Sequence, residues 1–151
     1  PGDVLSAEIG NLEPGTYVFS VEAEDEAGNV STGGPSVTVT IKDSSRKPFT
    51  ITPLGGLDKN GGIRAKIAVS PDPEAEGHPG TEAIVFQLMN GETPVSIIAV
   101  EKDITYREEI SAFFNVDPTA GNYRVEVFVF DRFTSSTSDS PVILAEKITI
   151  D

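Results

Sequence analysis

Hydrophobic residues recur with a period of two along most of the chain, and that pattern narrows the folds open to it. In Tyr17-Val18-Phe19-Ser20-Val21-Glu22-Ala23-Glu24-Asp25 the odd positions are apolar up to the closing aspartate, and the even positions turn polar after Val18. Successive side chains of a strand point to opposite faces, so Tyr17, Phe19, Val21 and Ala23 share one face of a half-buried strand. Val37, Val39 and Ile41 alternate with threonines and a lysine in the same way. Stretches with apolar residues three and four apart are short and carry β-branched residues or prolines, so no amphipathic helix is expected. The pattern predicts an all-β protein.

Strands are expected over 4–9, 16–24, 36–42, 48–53, 63–70, 82–89, 94–100, 107–115, 122–130 and 142–150. Between them stand turn-forming groups such as Glu13-Pro14-Gly15, Ala27-Gly28-Asn29, Gly33-Gly34-Pro35, Asn60-Gly61-Gly62 and Ala120-Gly121-Asn122. Glycine supplies positive φ there, and proline removes ladder donors at strand ends. Asn90-Gly91, between two strand-like runs, predicts a tight two-residue hairpin. The polar segment Lys42–Pro48 reads as a linker separating residues 1–46 from 47–151.

The two segments share a pattern. Asn11-Leu12-Glu13-Pro14-Gly15-Thr16-Tyr17 parallels Asn115-Val116-Asp117-Pro118 followed by Gly121-Asn122-Tyr123, with two residues inserted in the second copy. From Tyr17 to Asp25 and from Tyr123 to Asp131 the spacing is identical. A Ser/Thr/Gly loop follows each copy, then a proline (Pro35, Pro141) and a final alternating strand. Such self-similarity is expected of serial modules.

The stretch from Leu12 to Ser31 resembles the penultimate strand and following turn of bacterial immunoglobulin-like and fibronectin type III modules. The resemblance is closest over 11–42 and extends, less closely, over 110–150. It implies a tyrosine corner, in which Tyr17 and Tyr123 turn their hydroxyls back onto the preceding corner. Tyr17 stands one residue nearer Pro14 than the usual fibronectin spacing, and the chain has no tryptophan. The broader immunoglobulin-like class is therefore the better match.

The resemblance implies an immunoglobulin-like antiparallel β-sandwich over 47–151, preceded over 1–46 by the last three strands of a similar module. Three strands with one apolar face cannot bury that face alone. Truncation of a longer protein, strand addition by another chain, and packing onto the larger segment all remain open as ways to cover it. The resemblance also implies an extracellular or cell-surface, modular, non-catalytic role.

Composition excludes several classes of function. Eleven Lys and Arg against 24 Asp and Glu give a net charge of −13, shared as −6 over 1–46 and −7 over 47–151. Nucleic-acid and anionic-membrane binding, which need clustered cations, are not expected. With no cysteine, disulfide frameworks and thiolate chemistry are absent; with one histidine, so is any site needing two imidazoles in one chain. No apolar run approaches the roughly 18 residues of a membrane span, and none reads as a signal peptide.

Candidate catalytic groups are few. Glu108 and Glu109 are strand neighbours and point to opposite faces, while Glu22 and Glu24 share a face without a pocket. No nucleophile elbow and no phosphate-binding glycine motif is present. No enzymatic activity and no cofactor is expected. Two oxygen clusters are weak calcium candidates: Asp25 with Asn29, and Asp58 with Asn60. The Asp58 loop lacks the third acid and the distal glutamate that complete coordination, and the Asp25 cluster, with Glu26 beside it, stands at a strand end where a turn hydrogen bond is the plainer role. His78, among Pro71, Pro73 and Pro79, reads as part of a solvated loop.

One feature stands apart. In Tyr123–Asp131 the inward set is Tyr123, Val125, Val127 and Val129, which leaves Phe128 and Phe130 on the outer face with Phe133 close behind. The first copy has Glu22 and Glu24 at the corresponding outer positions. Burying each ring contributes about 2 kcal/mol, so these three phenylalanines are interface candidates unless the loop over 134–140 covers them. The expected function is a structural, spacer or assembly module of a secreted or surface-anchored prokaryotic protein. Its expected partners are neighbouring modules or another copy of itself. A carbohydrate- or ligand-binding module and a self-assembling filament subunit are the alternatives.

Overall fold

The computed structural model describes residues 8–151, so most of the strand expected over 4–9 lies outside the described residues. The chain divides into two compact units, one ending at Asp43 and one spanning Ser44–Asp151. All regular structure among the described residues is β, and every paired strand is antiparallel.

The first unit is a hairpin of β1 (Gly15–Ser20) and β2 (Ser36–Ile41). Tyr17 lies opposite Val39 and Phe19 opposite Val37, so these four share one face, while Val18 falls on the other with the threonines and serines. The Tyr17 hydroxyl donates to the Glu13 carbonyl at 2.7 Å.

The strand expected over 16–24 stops at Ser20, because Gly34 packs so closely against the Val21 carbonyl that a Cβ there would overlap it. Val21 donates to the Pro35 carbonyl at 3.1 Å, and beyond it residues 23–31 close a smaller turn of their own. Asp25 N donates to Asn29 O at 3.0 Å there, and Ser31 N to Ala23 O at 2.7 Å.

The second unit contains two sheets. In chain order its strands are β3 (Phe49–Pro53), β4 (Ile63–Pro71), β5 (Glu82–Asn90), β6 (Thr93–Lys102), β7 (Glu108–Phe114), β8 (Tyr123–Phe130) and β9 (Ile148–Ile150). One sheet has the order β3-β4-β7 and the other β6-β5-β8-β9. Both sheets contribute to a single core. Ile63, Ala65 and Ile67 of β4 join Ile110 of β7, Ile84, Phe86 and Leu88 of β5, and Val125, Val127 and Val129 of β8. Two sheets with apolar faces turned to a common interior form a β-sandwich.

Several boundaries differ from the expected ones for local reasons. The β5–β6 turn has Gly91 and Glu92 as its central residues, one position later than Asn90-Gly91. Gly91, at φ 57°, takes the first central place, which a two-residue hairpin reserves for glycine in its type II′ form. A bulge between Leu88 and Met89 accompanies the shift.

The strand expected over 142–150 survives only as β9. Ahead of it the chain leaves β8 and crosses to the other sheet: Leu144 N bonds Val129 O at 2.8 Å, while Phe49 N bonds Leu144 O at 3.0 Å. Residues 144–145 thus join the edges of both sheets.

The polar segment before β3 is anchored. Arg46 grips Asp72 at 2.7 Å and Glu74 at 2.8 Å, and Lys47 meets Glu146 at 2.8 Å. The corner before β8 also departs from the first copy. Asp117 closes it by accepting from Thr119 N at 2.9 Å and through its carbonyl from Ala120 N at 3.1 Å. Tyr123 has no counterpart of the Tyr17–Glu13 bond among the described residues.

Candidate functional site

Alternation along β8 sends Val125, Val127 and Val129 inward and Phe128 and Phe130 outward. The register places Phe128 beside Val85 and Phe130 beside Ala83 of β5, with Ile97 of β6 beside Gln87. The outer face of the four-stranded sheet is therefore largely apolar at its centre. The two rings lie nearly parallel, 5.6 Å apart with an interplanar angle of 11°. Lys147 extends its ammonium to 5.8 Å from the Phe128 ring, a cation–π contact.

The loop after β8 forms one wall over this floor. Its ends are joined by Asp131 N to Val142 O at 3.1 Å, and by Val142 N to the Asp131 carboxylate at 2.7 Å. Across the loop, Arg132 clasps Asp139 with Nε and Nη2 and reaches Asp131 with Nη1. The Arg132 guanidinium holds the Asp139 carboxyl below its ordinary 3.8. In turn, Asp139 raises the Arg132 pKa.

Between floor and wall lies an open groove of about 280 Å³. Val85, Ile97, Phe128 and Phe130 line one side, and Phe133, Thr134, Ser136 and Pro141 the other. Phe128 and Phe130 are half-buried, whereas Phe133 remains 46% exposed. The loop over 134–140 thus flanks the rings without sealing them.

No family model, no curated protein and no solved structure matches the chain. The geometry of the site therefore carries the functional reading. Arg132 is neutralised by its two aspartates. What this surface offers is apolar area with a polar rim, the combination found where proteins meet other molecules.

The four calcium candidates take part in closing turns. Asp25 Oδ1 accepts from Ala27 N and Asn29 N at 2.9 Å each, and Oδ2 accepts from Asn29 Nδ2 at 2.8 Å. These bonds, with Asn29 foremost, lower its pKa from 3.8. Asp58 Oδ1 likewise accepts from Asn60 N at 3.0 Å and Asn60 Nδ2 at 2.9 Å. In both pairs the asparagine presents N–H groups to the carboxylate where a metal would need convergent oxygens. No cluster of three or more His, Cys, Asp or Glu placed to hold a metal occurs among the described residues.

Glu108 and Glu109 point apart. Glu108 meets Lys102 at 2.8 Å, and Glu109 meets Lys66 at 3.1 Å and Arg107 at 3.2 Å.

The sequence reading missed one constellation. His78 is not simply solvated: its Nδ1 lies 2.9 Å from Oε1 of Glu82, whose side chain is fully buried. Oε2 of Glu82 accepts from Ile104 N at 2.8 Å. The signal was available in strand parity. Glu82 shares its face with Ile84, Phe86 and Leu88, so its carboxylate had to turn inward and find partners.

Proposed function

We propose that this chain is a non-catalytic structural or assembly module of immunoglobulin-like type, working in a secreted or surface-anchored protein through contacts with neighbouring modules or further copies. The observation that carries the reading is the aromatic groove on the outer sheet face, where Phe128 and Phe130 replace the charged residues of the first copy. An outer face that served solubility alone would keep the glutamates.

Further observations support the immunoglobulin-like assignment. The strand orders β3-β4-β7 and β6-β5-β8-β9 suit a seven-stranded sandwich of that class. The Tyr17 hydroxyl bond to the corner carbonyl at 2.7 Å is the contact a tyrosine corner makes. In this reading the first unit is the incomplete C-terminal part of a similar module. The extracellular setting rests on the resemblance of residues 11–42.

A ligand-binding module is the second reading, favoured by the same groove's volume of about 280 Å³. Methyl NMR separates the two. In the assembly reading, the Val85 and Ile97 methyl signals shift as protein concentration rises, and Phe130→Ser abolishes the shift. If they stay fixed at every concentration but respond saturably to a sugar or small aromatic compound, the assembly reading is wrong and the ligand-binding reading takes its place.

A further inference from the structure

The dipeptide Asn-Gly occurs twice, at Asn60-Gly61 and Asn90-Gly91. In this context the amide nitrogen that follows the asparagine is least shielded, because glycine carries no Cβ. The other asparagines precede leucine, valine or tyrosine, whose side chains stand over that nitrogen. Both Asn-Gly pairs share one chemistry, and the fold treats them in opposite ways.

Asn90 ends β5 and is half-buried. Its Oδ1 accepts from Asn122 N at 3.0 Å, and Gly91 N donates to Asn122 O at 2.9 Å. The Asn90 amide also lies against Gly121, where an added Cβ would come within 2.4 Å of Nδ2 and 2.7 Å of Cγ. Its side-chain carbonyl and the neighbouring nitrogen are thus both held by the corner before β8.

Asn60 stands in an exposed turn between β3 and β4. The base of that turn is the pairing of Asp58 with Arg64, at 3.0 and 2.8 Å. Gly61 bends the chain at φ 69°, and its N–H donates to nothing among the described residues. One exposed bond, from Asn60 Nδ2 to Asp58 Oδ1 at 2.9 Å, holds the side-chain amide.

We infer that Asn60 is a site of spontaneous covalent modification in the folded protein, and that Asn90 is protected from the same reaction. Gly61 N forms a bond to Asn60 Cγ and gives up its proton, while Nδ2 leaves with that proton as ammonia. Water then opens the cyclic imide. Cleavage at one carbonyl yields aspartate, and at the other isoaspartate. The product carries a new negative charge and has lost the donor that Asp58 Oδ1 accepts. Two carboxylates then face each other within the turn, and isoaspartate also lengthens the backbone between Asp58 and Arg64. Both changes weaken the pairing that closes the turn. The aromatic groove lies on the other sheet, so this inference is independent of the assembly reading.

Peptide mapping by mass spectrometry tests it on the full, unaltered chain, incubated at mildly alkaline pH with and without urea. In the native protein Asn60 should convert at least about tenfold faster than Asn90, which reacts only when its corner opens. Urea should accelerate Asn90 until the two rates are comparable, and should change the Asn60 rate little. A smaller native ratio overturns the inference, as does an Asn60 rate that climbs in urea as steeply as that of Asn90. Asn60→Gln, whose longer side chain must close a larger and less favoured ring, should abolish modification at that position. In the converted fraction, separated by ion exchange, the Asp58 and Arg64 amide signals should shift and exchange faster with solvent. Unchanged amides there would overturn the effect on the turn.

Discussion

Glu82 holds His78 through Oε1 at 2.9 Å while its Oε2 accepts the Ile104 amide at 2.8 Å. One buried carboxylate therefore joins three segments: the loop before β5, the first residue of β5, and the connection from β6 to β7. Losing one partner leaves a buried acceptor unsatisfied, which costs about 1–3 kcal/mol. His78→Ala should lower stability by that amount in urea unfolding. Glu82→Ala should lower it at least as much, because it removes both bonds and opens a void in the core.

Phe86 is fully buried in the shared core. Phe86→Ala is expected to cost about 3–5 kcal/mol, a large part of the 5–15 kcal/mol available to a domain of this size. Val18→Ala, at a residue 67% exposed, should change stability by less than about 0.5 kcal/mol. Chemical denaturation of both variants, followed by amide signals of β4, β5 and β8, makes the comparison. Two compact units need not unfold together, so each is followed by its own probes.

The two tyrosines of the repeat should behave differently. Tyr17→Phe deletes the bond to Glu13 and should destabilise the hairpin unit by about 1 kcal/mol. Tyr123→Phe keeps the buried ring and breaks no corner bond, so its effect should be within about 0.5 kcal/mol. Unit-specific unfolding midpoints would reveal the contrast.

Acid should lower the stability of the fold in a defined window. Asp25, Asp72, Asp117 and Asp139 are held below 3.8, and Glu109 below 4.5. The causes are turn N–H groups, Asn29 and Thr119 for some, and Arg46, Lys66 and Arg132 for others. Depressed carboxyl pKa values stabilise the fold above the ordinary values and lose that contribution as pH falls through the folded ones. Melting temperature should thus fall as pH drops below about 4. Asp139→Asn should flatten part of that dependence. Raising the salt concentration should weaken the share that comes from the exposed ion pairs.

Gly62 tests the outer face of the smaller sheet. A Cβ there would lie 2.5 Å from Cζ of Phe113 and 2.7 Å from the Phe114 carbonyl, at φ +155°. Gly62→Ala should displace the Phe113 ring from under Arg64, whose guanidinium carbon lies 5.4 Å from its centre. An altered Phe113 ring signal, with reduced stability of the second unit, is the expected outcome.

Much of this architecture was legible because period-two alternation fixes both element and face. Tyr123, Val125 and Val127 had to point one way, and Phe128 and Phe130 the other. What escaped depends on long-range approach. The packing of Gly34 against the Val21 carbonyl ends β1 early, and residues 144–145 leave β8 for β3 at a place where the pattern still alternates. The Asn90-Gly91 turn slid by one residue because the bulge at Leu88 and Met89 changes the strand count. Glu82 was hidden because its partners include an amide 22 residues away. The calcium candidates were ambiguous in sequence because the same short acids that bind metals also close turns, as Asp25 and Asp58 do here.

Amide hydrogen exchange at low protein concentration tests the central claim most directly: a self-contained sandwich over 44–151, and a separate hairpin unit whose apolar face lacks such a core among the described residues. Amides of β4, β5 and β8 should exchange only through global unfolding, and those of β1 and β2 through local opening at far lower free energy. Protection of the hairpin equal to that of β5 and β8 under dilute conditions would contradict the account.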